Sequence, residues 1–295
     1  KSNGSYTYFA PDIAYHYHKF KRGFSNMILL LGADHIGYVS RLKAAVSSIS
    51  DGQAQLKVVI NQLVNVMQNG QAIKMSKRSG NFITLNEVLH ELGSDILRFV
   101  MLWRNSDTVL DLDLAKAKEQ SNDNPVFYVQ YAHARAVSVL QKAAEKFADV
   151  DLSIQEQNGK IVYNYCCYNN RHDSINYNNQ NITGSTRGKE IIKKTIDYSK
   201  ITTIHEKKLI QDIALFPQII ILAATKSEPH RLTHYLYQLA ASFHGLWNRG
   251  TENEAERFIL DDNDTTKARL ALVYCAAHTI GIGLKLLGIK PMLSI

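Results

Sequence analysis

The densest chemistry in the chain is Lys74-Met75-Ser76-Lys77-Arg78-Ser79-Gly80, which puts three cations within five residues beside a glycine. Packing has no use for such a loop. A triphosphate does: ammonium groups neutralise the charge that builds on a departing pyrophosphate, and a flexible loop lets them follow it. The alternative is a solvated basic turn. A second grouping, Asp34-His35, directly follows the apolar run Asn26–Ala33. Open α/β sheets bind ligands at the carboxyl ends of their strands, so both side chains are candidates for ligand contact. A helix N-cap by Asp34 and a structural hydrogen bond from His35 are the alternatives. A third grouping is Gln130, Tyr131, His133 and Arg135, with residues 131 and 135 on one helix face. Interleaved aromatic and basic groups suit unstacked bases and phosphates, and Trp247, Asn248 and Arg249 repeat the pattern at another helix end. The alternative for both is a bundle helix with its aromatics in the core. His16 and His18 form an HxH pair for which no third metal ligand is signalled.

The elements that must position these groups change character along the chain. Asn26–Ala33 is a short continuous apolar run, as a buried parallel strand would be. Tyr38–Ile49 has helical spacing, and Leu56–Val66 reads as one or two strands ending at the turn Gln68-Asn69-Gly70. Thr84-Leu85-Asn86-Glu87 is a capping box that starts a helix, Gly93 stops it, and Ser94 starts the next. This rhythm predicts a parallel α/β sheet over residues 1–105. From about residue 110 the strand signals disappear. Asn124-Pro125 caps a helix running to about Phe147. Further helices are expected over about 204–226 with a break at Pro217, over about 230–248 with a stop at Gly250, and over about 265–287 with a stop at Gly288. Residues 106–295 thus read as an all-α helix bundle. Residues 158–181 contain eight asparagines, and about 153–200 reads as a surface insertion, poorly ordered or locally folded.

Composition bounds the answer. The chain has 295 residues, 45% apolar and 21% charged, which is a globular composition sufficient for two domains. No unbroken apolar run approaches the 18 or so residues of a membrane-spanning helix, so no membrane partner is expected. Three cysteines, two of them adjacent, make neither a disulfide framework nor a CxxC metal site, and a cytoplasmic setting is the natural reading. The net charge of +7 is uneven: residues 1–105 carry 12 basic and 6 acidic groups, whereas residues 106–200 balance at 12 and 12. The first residue is Lys and not Met, so a processed or internal start is expected.

The basic loop resembles the KMSKS loop of class I aminoacyl-tRNA synthetases, with Arg78 in place of the last serine. Its surroundings, from Gly70 to Leu102, are similar to the arginyl-tRNA synthetase version. Tyr6–His16, Gly32-Ala33-Asp34-His35-Ile36-Gly37-Tyr38, Ser106–Asp113 with Asn124–Arg135, and Pro229–Asn248 with Leu286-Leu287-Gly288 resemble further segments of that family, in the family's order. The resemblance covers everything except the Asn-rich stretch. It implies a partial Rossmann-type catalytic domain followed by an all-α anticodon-binding domain. It implies that Lys74 and Lys77, with Arg78 in support, stabilise pyrophosphate, and that Met75 and Ser76 contact ATP. Asp34 and His35 are then candidates for contacts to arginine or to the ATP ribose. Tyr8 and Asp12 would bind the arginine side chain, in keeping with the preference of a guanidinium for a carboxylate. Gln130, Tyr131, Arg135, Trp247 and Asn248 are candidates for tRNA contact. For Tyr8 a rim aromatic, and for Asp12 a helix cap, remain alternatives.

The implied substrates are arginine, ATP with Mg²⁺ and tRNA(Arg), with no tightly bound metal and nothing that requires more than a monomer. His35-Ile36-Gly37-Tyr38 nearly spells HIGH, the other class I signature, but it precedes Lys74 by only 39 residues, whereas HIGH lies far upstream. The HIGH motif is therefore expected to lie outside this sequence. The chain then reads as the C-terminal part of the enzyme, inactive by itself. Two other readings stay open: a non-catalytic tRNA-binding module derived from a class I synthetase, and a class I synthetase for another amino acid.

Overall fold

The computed structural model describes residues 2–73, 83–121, 123–147, 150–157, 160–167 and 196–294. The expectations for Lys74, Met75, Ser76, Lys77 and Arg78 lie outside the described residues, as does most of the Asn-rich stretch. The chain divides into two compact units, Lys1–Met75 with Arg104–Asp113, and Ser76–Trp103 with Leu114–Ile295. The border is interleaved and does not fall at residue 105. The physical reason is pairing: a strand at 110–113 hydrogen-bonds into the first unit, while Phe99 is fully buried in the core of the second.

In the first unit, α1 (Phe9–Lys21) leads to β1 (Asn26–Gly32), a 3₁₀ turn over Ala33–Tyr38, α2 (Val39–Ile49) and β2 (Gln55–Asn61). β1 and β2 pair in parallel from Asn26 opposite Gln55 to Gly32 opposite Asn61. The second sheet has the order β4-β3-β5, from β4 (Gln71–Ala72), β3 (Val64–Gln68) and β5 (Leu110–Asp113), with β3 antiparallel to β4 and parallel to β5. Asn69 and Gly70 make the β3–β4 turn at φ 51° and 78°, the left-handed pair that a two-residue hairpin requires. Met27, Leu42, Val46, Ala54 and Leu56 form this unit's core. The apolar run in β1 is buried on one face only: Ile28 is 62% and Leu30 67% exposed. The pairing is parallel, as expected, and the buried side chains of the pair are on the face that packs against α2.

In the second unit, α3 (Leu85–Leu92) begins at the expected capping box. Thr84 Oγ1 accepts from the Glu87 amide at 3.2 Å, and the Glu87 carboxylate accepts from the Thr84 amide at 2.6 Å. Gly93, at φ 77°, separates it from α4 (Ser94–Trp103). After α5 (Leu114–Lys118), Asn124 caps α6 (Pro125–Lys146) through the Val126 amide. Then come β6 (Val150–Gln157), β7 (Lys160–Cys167), α7 (Ile204–Ala214), α8 (Phe216–Lys226), α9 (His230–Glu252) and α10 (Asn263–Leu286). The chain breaks at Leu215, with Pro217 in the first turn of α8, as the sequence suggested.

Two expectations are corrected. The strands do not end near residue 110: within a unit that is mostly helical, β6 and β7 form an antiparallel hairpin, Ile154 opposite Tyr163. Of the two readings of the 153–200 stretch, poorly ordered or locally folded, the described residues 150–157 and 160–167 take the second. Ile154 is buried and Tyr163 packs on the bundle core, so the hairpin has an apolar face to bury. Finally, α9 does not stop at Gly250. A Cβ there would meet Arg257 Cα at 3.1 Å, so this glycine serves close packing and not helix termination.

One ion pair ties the bundle together. Arg269 of α10 donates from Nε to Glu206 of α7 at 2.7 Å and from one terminal nitrogen to the carbonyls of Ala255 and Arg257, each at 2.7 Å. Both charged side chains are buried, so each needs the other. Among the described residues two helical stretches are apolar and long enough to cross a membrane, although neither is an unbroken apolar run. The stretch over 204–226 is interrupted at Leu215, and that over 263–286 is mostly buried and carries Arg269.

Candidate functional site

The first unit gathers four of the sequence-predicted side chains around two element ends. Tyr8 stands at the start of α1 and Asp12 in its first turn, where the helix dipole favours an anion. Both are exposed. One turn further, the buried His16 donates from Nδ1 to the Asp12 carbonyl at 2.7 Å, which fixes the backbone beneath the Asp12 carboxylate. His16 is thus a core residue, not half of a metal pair with the exposed His18. Asp34 and His35 open the 3₁₀ turn after β1, with 3.5 Å between His35 Nε2 and the Asp34 carboxylate. That carboxylate folds back over Gly32, where a Cβ would fall 2.6 Å from its Oδ1. The N-cap position of the turn is Gly32, so Asp34 lies inside the turn and not at its cap. The rings of Phe9 and Tyr38 lie 6.4 Å apart, as do those of His35 and Tyr38. This run of rings joins the head of α1 to the carboxyl end of β1, so the carboxylates of Asp12 and Asp34 belong to adjoining element ends. Such an arrangement presents acceptors to a cationic side chain and to hydroxyls.

The second unit brings together candidates from two helices. Arg135 of α6 lies with Cζ 4.0 Å from the Tyr131 ring centre and 5.0 Å from that of Trp247 on α9. Its terminal nitrogens donate to the Tyr131 hydroxyl at 2.9 Å and to His244 Nδ1 at 3.2 Å. His244 in turn donates from Nε2 to the Tyr128 carbonyl at 3.1 Å. Burial pushes its pKa down, with Arg135 adding to the effect, and the neutral ring holds the guanidinium in place. Tyr131, Arg135 and Trp247 are half-buried, and Asn248 is exposed beside them. A cation fixed between two aromatic faces and open on one side suits a base and its phosphate.

Gln130 does not belong to this surface. It is buried, its amide nitrogen donates to the Lys290 carbonyl at 2.9 Å, and its amide oxygen accepts from the Met292 amide at 2.8 Å. The side chain ties down the segment after α10. The expectation of a tRNA contact is corrected, because no polar group of Gln130 faces outward. His133 is likewise internal: Nδ1 donates to the Met292 carbonyl at 2.6 Å, and Nε2 accepts from the Tyr163 hydroxyl at 2.9 Å. Burial lowers its pKa to about 4, so it is neutral and not a phosphate ligand.

Sequence reasoning missed His244 and Tyr128. Both share helix faces with the residues it found, one turn from Trp247 and Tyr131, and helical spacing was the available signal. Tyr163, a tyrosine of the Asn-rich stretch, turns inward to His133. Among the described residues no group of three or more His, Cys, Asp or Glu is placed to hold a metal ion.

Similarity to known proteins runs the whole length of the chain. Residues 2–115 match the family model "tRNA synthetases class I (I, L, M and V)" and residues 179–295 match "DALR anticodon binding domain". The arginine–tRNA ligase of Rhodospirillum rubrum is 45% identical over 99% of the chain, and that of Wolbachia pipientis wMel 43% identical over 99%. The chain spans 44% of the length of each of these relatives. In fold it is similar to a structure described as a putative arginyl-tRNA synthetase from Campylobacter jejuni (TM-score 0.70, 24% identity, 100% of this chain and 54% of that one). It is also similar to the arginyl-tRNA synthetase of Thermus thermophilus (TM-score 0.62, 20% identity, 92% of this chain and 41% of that one).

Proposed function

We propose that the chain, 45% identical to the arginine–tRNA ligase of Rhodospirillum rubrum over 99% of its length, supplies part of an enzyme that joins arginine to tRNA(Arg) at the expense of ATP. The first step is attack of the arginine carboxylate on the α-phosphorus of ATP, giving arginyl-adenylate and releasing pyrophosphate. The second is attack of the 2′-hydroxyl of the terminal adenosine on that acyl carbon, releasing AMP. Tyr8 and Asp12 hold the arginine guanidinium, and Asp34 and His35 contact the ATP ribose. Met75 and Ser76 contact ATP. Lys74 and Lys77, with Arg78, neutralise the departing pyrophosphate, with Mg²⁺ entering as part of the nucleotide substrate. Tyr131, Arg135, Trp247 and Asn248 contact the tRNA. We place the enzyme in the cytoplasm as a monomer.

The observation that carries the reading is the assembly of Tyr131, Arg135 and Trp247, distant in sequence, into one cation–aromatic cluster on the unit that also bears the DALR match. The test is filter binding of tRNA(Arg) to the 295-residue chain, with an unrelated tRNA as control. Selective binding is expected, and equal affinity for both tRNAs would overturn the assignment.

A rival reading, a tRNA-binding module without catalysis, draws on the same cation–aromatic cluster, which suits tRNA binding and takes no part in a chemical step. It is decided by the codons preceding Lys1. A continuing frame that encodes HIGH removes the module reading, and a stop codon there removes the enzyme.

A further inference from the structure

The helix that carries Tyr8 and Asp12 continues past them with a feature that arginine recognition does not use. At 100° per residue, positions 8, 12, 15 and 19 share one narrow stripe of α1. Tyr15 is 56% exposed, and the Lys19 ammonium lies 4.3 Å from its ring centre. From Ile13 to Ala33 the chain has no acidic residue, and it holds Lys19, Lys21 and Arg22. The stripe therefore runs from a carboxylate at the helix head to an exposed ring paired with a cation about 10 Å further along, at 1.5 Å per residue.

We propose that Tyr15 and Lys19 hold the unpaired 3′ end of the tRNA, Tyr15 stacking on a base and Lys19 pairing with the adjoining phosphate. The inference rests on the arginine–tRNA ligase reading. In that reaction the terminal ribose must meet the arginine carboxyl group, so the nucleotides before it lie within a few residues' reach of Asp12. A ring with its own cation is the chemistry that single-stranded RNA selects, because every base has a face to stack and every nucleotide a charge to neutralise. Binding exchanges the internal cation–ring contact for base on ring and phosphate on ammonium. Tyr17 with Lys21 makes a similar pair, the ammonium 5.3 Å from the ring centre, but on the opposite side of α1 from Asp12. That pair is the built-in control.

The experiment measures fluorescence anisotropy of intact tRNA(Arg) and of the same tRNA trimmed of its unpaired 3′ nucleotides, against the 295-residue chain. The parent chain is expected to bind intact tRNA about tenfold more tightly than trimmed tRNA, the scale of one stacked base. Y15A with K19A is expected to erase that difference and leave affinity for trimmed tRNA within twofold. Y17A with K21A is expected to preserve the difference. Circular dichroism melts check that both variants are folded. Equal binding of intact and trimmed tRNA by the parent chain overturns the placement while leaving tRNA recognition standing. So does an equal effect of the two double variants. Binding of neither tRNA overturns the ligase reading and this inference with it.

Discussion

The Tyr163 hydroxyl donates to His133 Nε2 at 2.9 Å while standing where a Cβ on residue 281 would lie, 1.6 Å away. One oxygen thus satisfies a buried imidazole on α6 and occupies the gap that a glycine leaves on α10. Tyr163→Phe strands that imidazole nitrogen, and a loss of about 1–3 kcal/mol is expected. Gly281→Ala forces the ring out, and about 3 kcal/mol is expected. In a Tyr163→Ala background the same alanine should cost much less, since the two residues contend for one space. Urea unfolding of the four proteins checks this, and strict additivity would separate the residues.

The same imidazole sets a pH dependence. His133 titrates near 6.5 when unfolded and is pushed to about 4 in the folded chain, first by burial. Between those values the unfolded chain binds a proton that the folded chain refuses. Stability is therefore full above the upper value and falls with pH by about 1.4 kcal/mol per unit towards the lower one. His244 and His278 are lowered by burial too and act with the same sign. Urea midpoints taken from neutral to acidic pH should show the fall, and His133→Asn should flatten it. An unchanged slope in that variant would place the effect elsewhere.

Arg135 and Gln130 stand five residues apart on one helix and should respond oppositely. Arg135→Lys keeps the charge but loses the planar contact with Tyr131 and Trp247, and a drop of about tenfold in tRNA(Arg) affinity is expected. Gln130→Leu removes both hydrogen bonds to residues 290–292, with a fall in stability of roughly 1–3 kcal/mol and tRNA affinity within twofold. Paired filter binding and thermal melts check it. A tRNA defect without a stability loss in Gln130→Leu would return that residue to the binding surface.

Two substitutions, made in a full-length protein that contains this chain, test the proposed ligase reading. Asp12→Ala should raise the KM for arginine far more than that for ATP, as loss of a guanidinium acceptor requires. Lys77→Ala should slow adenylate formation about 10²–10³-fold, the scale of one lost transition-state donor. Pyrophosphate exchange measures both, and a Lys77 effect of only a few-fold would make the loop solvated charge.

The sequence made local features legible and left contacts between distant segments hidden. The Thr84 capping box, the Asn124 cap and the Asn69-Gly70 turn are encoded within four residues each, and all three form as read. Gly250 misled because a glycine that admits a neighbour's backbone looks the same in sequence as one that ends a helix. The Tyr163 hairpin was hidden for a related reason: it runs into an asparagine-rich stretch, and its Ile154 and Tyr163 pack on a core contributed by other parts of the chain. Tyr8, Asp12, Asp34 and His35 are candidates that the family resemblance singles out, and they sit at element ends. Arg135 and Trp247 were found separately, and their meeting is a fact of the bundle.

The fit of Tyr163 over Gly281 also bears on inheritance. A hydroxyl and an absent methyl group fill one volume, so neither position can drift while the other stays fixed. Where a relative has lost the ring at this point of the hairpin, the facing helix is free to carry a side chain. Where it keeps the glycine, the ring should be kept as well. Covariation between these two positions among relatives would therefore record the docking of the hairpin on the bundle.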